Sequence, residues 1–231
     1  APDHPGTTTF DRDPARAAML WERPRDLSRA IDAVLADPAL SGHVDPGRIA
    51  AIGHSLGGWA VTALAGARFD PAQFSRDCRD NFSLRACALT EEPGLSDPAM
   101  AADLRDPRVG AFVSLDLGLA RGFTPESLAA VQIPGLVLGA GVEIGDLPAR
   151  LESGWLGEHL PAASSRLEMI PDAMHFSFMQ LCKSGAEAVI EAEEPGDGIV
   201  CRDGGQRERA AIHDEIAASI SGFLAQSLRA R

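Results

Sequence analysis

Gly53-His54-Ser55-Leu56-Gly57 sets a serine between two glycines, each two residues away. The pattern G-x-S-x-G carries chemistry when it joins a strand to a helix, because the sharp turn then exposes the hydroxyl at the start of the helix. Both flanks fit. Arg48-Ile49-Ala50-Ala51-Ile52-Gly53 is a short apolar run that reads as a buried strand. Leu56, Trp59, Ala60, Ala63 and Leu64 then recur along one helical face. Such a turn strains the serine backbone and aims the Leu56 N–H at an oxyanion formed on a substrate. Ser55 is the candidate nucleophile and Leu56 a candidate oxyanion-hole donor.

A serine hydroxyl attacks only when a base takes its proton. The chain has 6 histidines. His4, His43 and His159 fall in loops or polar helical positions. His213 is expected on the surface of the last helix, and His54 is expected to point away from the serine's reaction space. His175 follows an apolar run and a Pro171-Asp172 turn, with Phe176, Phe178 and Met179 beside it, which makes it the candidate base. The acid that orients the imidazole should lie between the two, in the order Ser…Asp/Glu…His. Asp116 abuts the apolar run 109–115 directly and leads into Leu117-Gly118-Leu119, so it is preferred. Glu143 and Asp146, after the next apolar run, remain alternatives.

The elements that must position these residues alternate. Strands are predicted at 48–53, 109–116, 133–141 and 165–170. Helices are predicted at 24–36, from Leu56 onward, at 148–160 and at 206–230, the last striped by Ile212, Ile216, Ile220, Phe223 and Leu224. Apolar strands alternating with helices predict an α/β fold with a mostly parallel sheet covered on both faces. A chain of 231 residues is expected to form one domain over 1–231. Residues 67–108, broken by Pro71, Pro93, Pro98 and Pro107, read as a cap-like insertion. Residues 183–208 read as an irregular acidic excursion. Phe69, Phe74 and Phe82, with Phe176 and Phe178, suggest an apolar pocket.

Composition narrows the partners. Acidic residues outnumber basic ones 33 to 21, for a formal charge of −12, which disfavours nucleic acid. Tyr is absent, and 9 Phe with 3 Trp make a poor stacking platform for bases. No apolar run approaches the roughly 18–20 residues of a membrane span. The opening Ala1-Pro2-Asp3-His4-Pro5-Gly6 shows no signal-peptide pattern. The 4 cysteines form two local pairs, read as disulfides Cys78–Cys87 and Cys182–Cys201, which imply a periplasmic or secreted protein. Glu187, Glu191, Glu193, Glu194, Asp197 and Asp203 fit no calcium-loop spacing and read as a solvated face. No metal or cofactor is expected.

Gly53-His54-Ser55-Leu56-Gly57-Gly58, Ser114-Leu115-Asp116 and Met174-His175-Phe176 resemble the bacterial predicted dienelactone hydrolases, themselves similar to the platelet-activating-factor acetylhydrolases. Asp3-His4-Pro5-Gly6 and Trp21-Glu22-Arg23-Pro24 look like the segment after that family's fourth strand. The resemblance implies an α/β-hydrolase fold, a triad of Ser55, Asp116 and His175, a small-molecule ester substrate and no cofactor. Dienelactone hydrolase proper uses a cysteine nucleophile, so Ser55 departs from it. The resemblance also implies first strands and a His-Gly oxyanion turn before Ala1. The expectation is a C-terminal portion of a longer hydrolase, completed by a separate N-terminal fragment or chain. Two other readings of the same residues are a non-catalytic binding protein on a hydrolase scaffold and a peptidase or amidase.

Overall fold

The computed structural model describes residues 2–8, 10–88, 94–145 and 147–228. In chain order the elements are α1 (Pro14–Ala17), α2 (Glu22–Ala36), β1 (Ile49–His54), α3 (Leu56–Leu64), α4 (Pro71–Asp80), α5 (Arg85–Ala88) and β2 (Val109–Leu115). They continue as α6 (Pro125–Ala129), β3 (Gly135–Ala140), α7 (Ser153–His159), β4 (Ser165–Ile170), α8 (Ala186–Glu193) and α9 (Arg209–Ser227). The starts of several helices are written in the sequence. Asp13, Asp70 and Thr124 each accept a backbone N–H of the first turn, and each is followed by proline, which suits the first helical position.

The four strands form one sheet in the order β1-β2-β3-β4, and every pair is parallel. Their carboxyl ends therefore share one edge, where parallel sheets place their sites. One face packs Phe112 and Val137 against Trp59 of α3, Leu156 of α7 and Phe69, Phe74, Leu95, Met100 and Leu104. The other face packs Val113, Leu136, Leu138 and Ile170 against Ile212, Ile216 and Phe223 of α9. These are the two covered faces expected of an α/β-hydrolase fold. Among the described residues no helix is long and apolar enough to cross a membrane.

Three local expectations are corrected. Residues 183–208 are not irregular, because Ala186–Glu193 is a helix. Its run of Ala, Val, Ile and Glu favours helix more than the surrounding glycines and acids suggested. β1 is not a buried strand. It sits at the sheet edge and is half-buried, with Ile52 46% exposed. Phe69 and Phe74 are wholly inside the core with Trp59 and Phe123, and Phe82 stands in solvent, so these rings do not line a common pocket.

The core also holds an ion pair. The Arg121 guanidinium meets Glu152 at 2.8 Å, and both side chains are 2% exposed. Arg121 reaches Asp77 at 2.6 Å, and Glu152 accepts the Ala120 N–H at 2.7 Å. Burial pushes the Glu152 carboxyl up to about 7, with the Arg121 charge pulling the other way. Removing one partner of such a pair strands a charge, which costs about 3–5 kcal/mol. Arg121→Ala should therefore lower stability by that amount in thermal unfolding followed by circular dichroism. A midpoint shift under about 2 °C would contradict this account.

Candidate active site

Ser55 sits between β1 and α3 with φ 57° and ψ −122°, a conformation L-residues avoid. The surrounding packing enforces it. A Cβ on Gly53 would lie 2.1 Å from the Gly57 carbonyl oxygen, and one on Gly58 would lie 2.8 Å from Ser114 Oγ. Only glycine lets the strand and helix pass this closely. The Ser55 N–H donates to Leu115 O at 3.0 Å, which ties the bend to β2. Leu56 is the first residue of α3, so its N–H has no partner within the helix.

Asp116 follows β2 directly and also has positive φ, 39°. Its N–H donates to Leu138 O at 2.7 Å, and its Oδ1 accepts the Ala140 N–H at 2.8 Å. Both bonds pin the carboxylate to the neighbouring strand β3. The other oxygen, Oδ2, lies 2.7 Å from His175 Nδ1. His175 begins a 3-10 turn, His175–Phe178, five residues past the end of β4. Its Nε2 lies 3.1 Å from Ser55 Oγ. A carboxylate only accepts, so Nδ1 carries the proton and Nε2 is left to accept from the Ser55 hydroxyl. His175 and Asp116 are both buried.

The structure thus brings Ser55, Asp116 and His175 into one hydrogen-bonded line. Glu143 stays outside it: the residue is exposed and its Oε1 accepts the Ala149 N–H at 3.2 Å. Asp146 lies outside the described residues.

Several residues around the line escaped sequence reasoning. Ser177 Oγ accepts the Met174 N–H at 3.0 Å and donates to Asp203 Oδ1 at 2.6 Å. Arg209 Nε donates to Asp203 at 3.0 Å, and its other nitrogens donate to Gln180 O and Arg202 O. His213 is half-buried rather than superficial, and its Nε2 donates to Ser177 O at 2.9 Å. The Cys182–Cys201 disulfide closes the same region, and a second joins Cys78 to Cys87. Asp203 counted as one acid among many; its role depends on where the chain returns.

His54 packs on the site. Its Nε2 donates to His175 O at 2.9 Å, and its ring centroid lies 4.6 Å from that of His175 and 5.7 Å from that of Phe178. Burial, then the His175 ring, lower its pKa from 6.5 to about 4, so it is neutral at pH 7.

Among the described residues, one close group of potential metal donors is Asp77, Cys78 and Cys87. Its sulfurs are bonded to each other, so it offers no thiolate. Glu187 is paired with Arg202, and Glu191 accepts the N–H groups of Gly196 and Gly198.

No protein-family model matches the chain, and no curated protein matches it. Among solved structures, a ferulic acid esterase from Streptomyces cinnamoneus is similar in fold, with TM-score 0.54 at 19% sequence identity. The match covers 93% of this chain and 50% of that one, so the chain spans half the length of that structure.

The depressed His54 pKa has a thermodynamic consequence. Between pH 6.5 and about 4 the unfolded chain binds a proton at His54 and the folded chain does not. Stability should therefore fall as pH drops through that window, by about 3 kcal/mol at its acid end. His54→Gln removes this share. Denaturant unfolding at pH 7 and pH 4.5 checks it, and an equal loss in wild type and His54→Gln would refute it.

Proposed function

We propose that this chain is the catalytic part of a serine hydrolase that cleaves carboxylic esters. One observation carries the reading: an unbroken relay from the Ser55 hydroxyl through His175 to Asp116, with the serine held on a strained strand-to-helix turn. Its resemblance to bacterial predicted dienelactone hydrolases and platelet-activating-factor acetylhydrolases, and the esterase named above, support the same choice of substrate class.

In this reading Ser55 Oγ attacks the ester carbonyl carbon as its proton passes to His175 Nε2. Asp116 stabilises the imidazolium and keeps Nδ1 protonated. Negative charge gathers on the former carbonyl oxygen, where the Leu56 N–H and the positive end of α3 oppose it. The tetrahedral intermediate collapses, the C–O bond to the alcohol breaks, and His175 returns the proton to the leaving oxygen. Water then attacks the acyl-serine by the same route in reverse, releasing the acid and free Ser55. The substrate is a small-molecule ester, and no cofactor takes part. Two disulfides fit an oxidising compartment, the periplasm or the exterior.

Ser55→Ala should abolish turnover of a short p-nitrophenyl ester and abolish covalent labelling by a fluorophosphonate, with the circular dichroism spectrum kept. A wild-type rate in that variant refutes the assignment, and an unlabelled wild type favours a non-catalytic binding protein. Asp116→Asn should lower kcat by about 10⁴-fold through the wrong imidazole tautomer. Glu143→Gln should leave kcat within about twofold, since Glu143 is exposed and bonded elsewhere.

A further inference from the structure

We infer that His54 is a positioning residue that sets the distance between Ser55 and His175, an inference that rests on the proposed serine hydrolase. His54 is bonded in sequence to Ser55, and its ring N–H is bonded in space to the backbone of His175. The distance from Ser55 Oγ to His175 Nε2 is 3.1 Å, and among the described residues the His54 bond is the other hydrogen bond between the two segments. Ser55 and His175 are 120 residues apart in the chain, and the strands that precede them, β1 and β4, are at opposite edges of the sheet. No ladder hydrogen bond joins β1 to β4 directly, so the His54 bond is a direct local tie between the serine bend and the histidine turn.

Two further features fit this role. The His54 ring fills the space beside the His175 ring and is itself backed by Phe178, so the imidazole has little room to swing. His213 donates to the Ser177 carbonyl of the same turn, so the turn is held at two carbonyls by two histidines. The ionisable groups that bear on His54 are His175 and Asp116. A neutral His54 adds no positive charge to oppose the imidazolium that forms on His175 during turnover.

The geometry requires the proton on Nε2 of His54, because a carbonyl oxygen only accepts. Nitrogen-15 NMR of the folded wild type between pH 6 and 8 should show His54 protonated at Nε2 and bare at Nδ1. The opposite tautomer overturns the inference without any mutation. His54→Phe keeps a ring and loses the donor; its kcat on a p-nitrophenyl ester should fall tenfold to a hundredfold with KM within about twofold, as small misplacements of reacting groups do. His54→Gln restores a donor of similar reach and should recover kcat to within about threefold of wild type. Equal losses in the two variants, or an unchanged kcat in His54→Phe, overturn the inference. Fluorophosphonate labelling of wild-type Ser55 separates the two levels: labelling with an indifferent His54 sinks the positioning role alone, and an unlabelled wild type sinks the hydrolase reading and this inference with it.

Discussion

A buried imidazole held between a carboxylate and a hydroxyl is the interaction on which the rest of this structure depends. His175 makes 2.7 and 3.1 Å contacts with Asp116 and Ser55, and each of the three residues lies just past the carboxyl end of a strand. That is possible because every strand runs the same way, so all the strand ends fall on one edge. An antiparallel neighbour would have sent one of the three to the far side of the sheet.

The line needs backbone that most sequences would not accept. Ser55 and Asp116 both have positive φ, and neither is glycine. Such conformations cost of order 1–3 kcal/mol each and persist where the surroundings over-determine them. Here the surroundings are specific. Gly53 and Gly58 remove the Cβ atoms that would block the bend, and β3 supplies Leu138 O and the Ala140 N–H to hold Asp116. The loop that leaves Asp116 is tied down further on, where Glu152 takes the Ala120 N–H and the Arg121 guanidinium. A buried ion pair is an expensive way to anchor a loop, and removing either partner would leave a charge unpaired in the core.

The third member is held differently. His175 rests on a short turn with no ladder of its own, and polar side chains supply what the sheet does not. Asp203 holds Ser177, Arg209 holds Asp203, and His213 and His54 each take a turn carbonyl. The segment carrying Asp203 is the acidic stretch after the sheet, closed by Cys182–Cys201. A region that reads as solvated surface thus acts as the buttress of the buried ring.

The amino-acid sequence by itself determined the alternation of strands and helices, the bend at Ser55, and a short set of partners for it, His175 with Asp116, Glu143 or Asp146. Those features are local: apolar runs bounded by turn residues, glycines two residues from a serine, and chain order. Tertiary structure alone decided which acid reaches the imidazole, since Glu143 and Asp116 follow adjacent strands, and only the fold buries one beside His175 and leaves the other exposed. It alone decided that β1 is an open edge, because pairing is a property of the sheet and not of the strand. It alone revealed His54, Ser177, Asp203 and His213 as supports of the ring, because each contact joins residues at least 26 positions apart or depends on a turn whose shape no local pattern encodes.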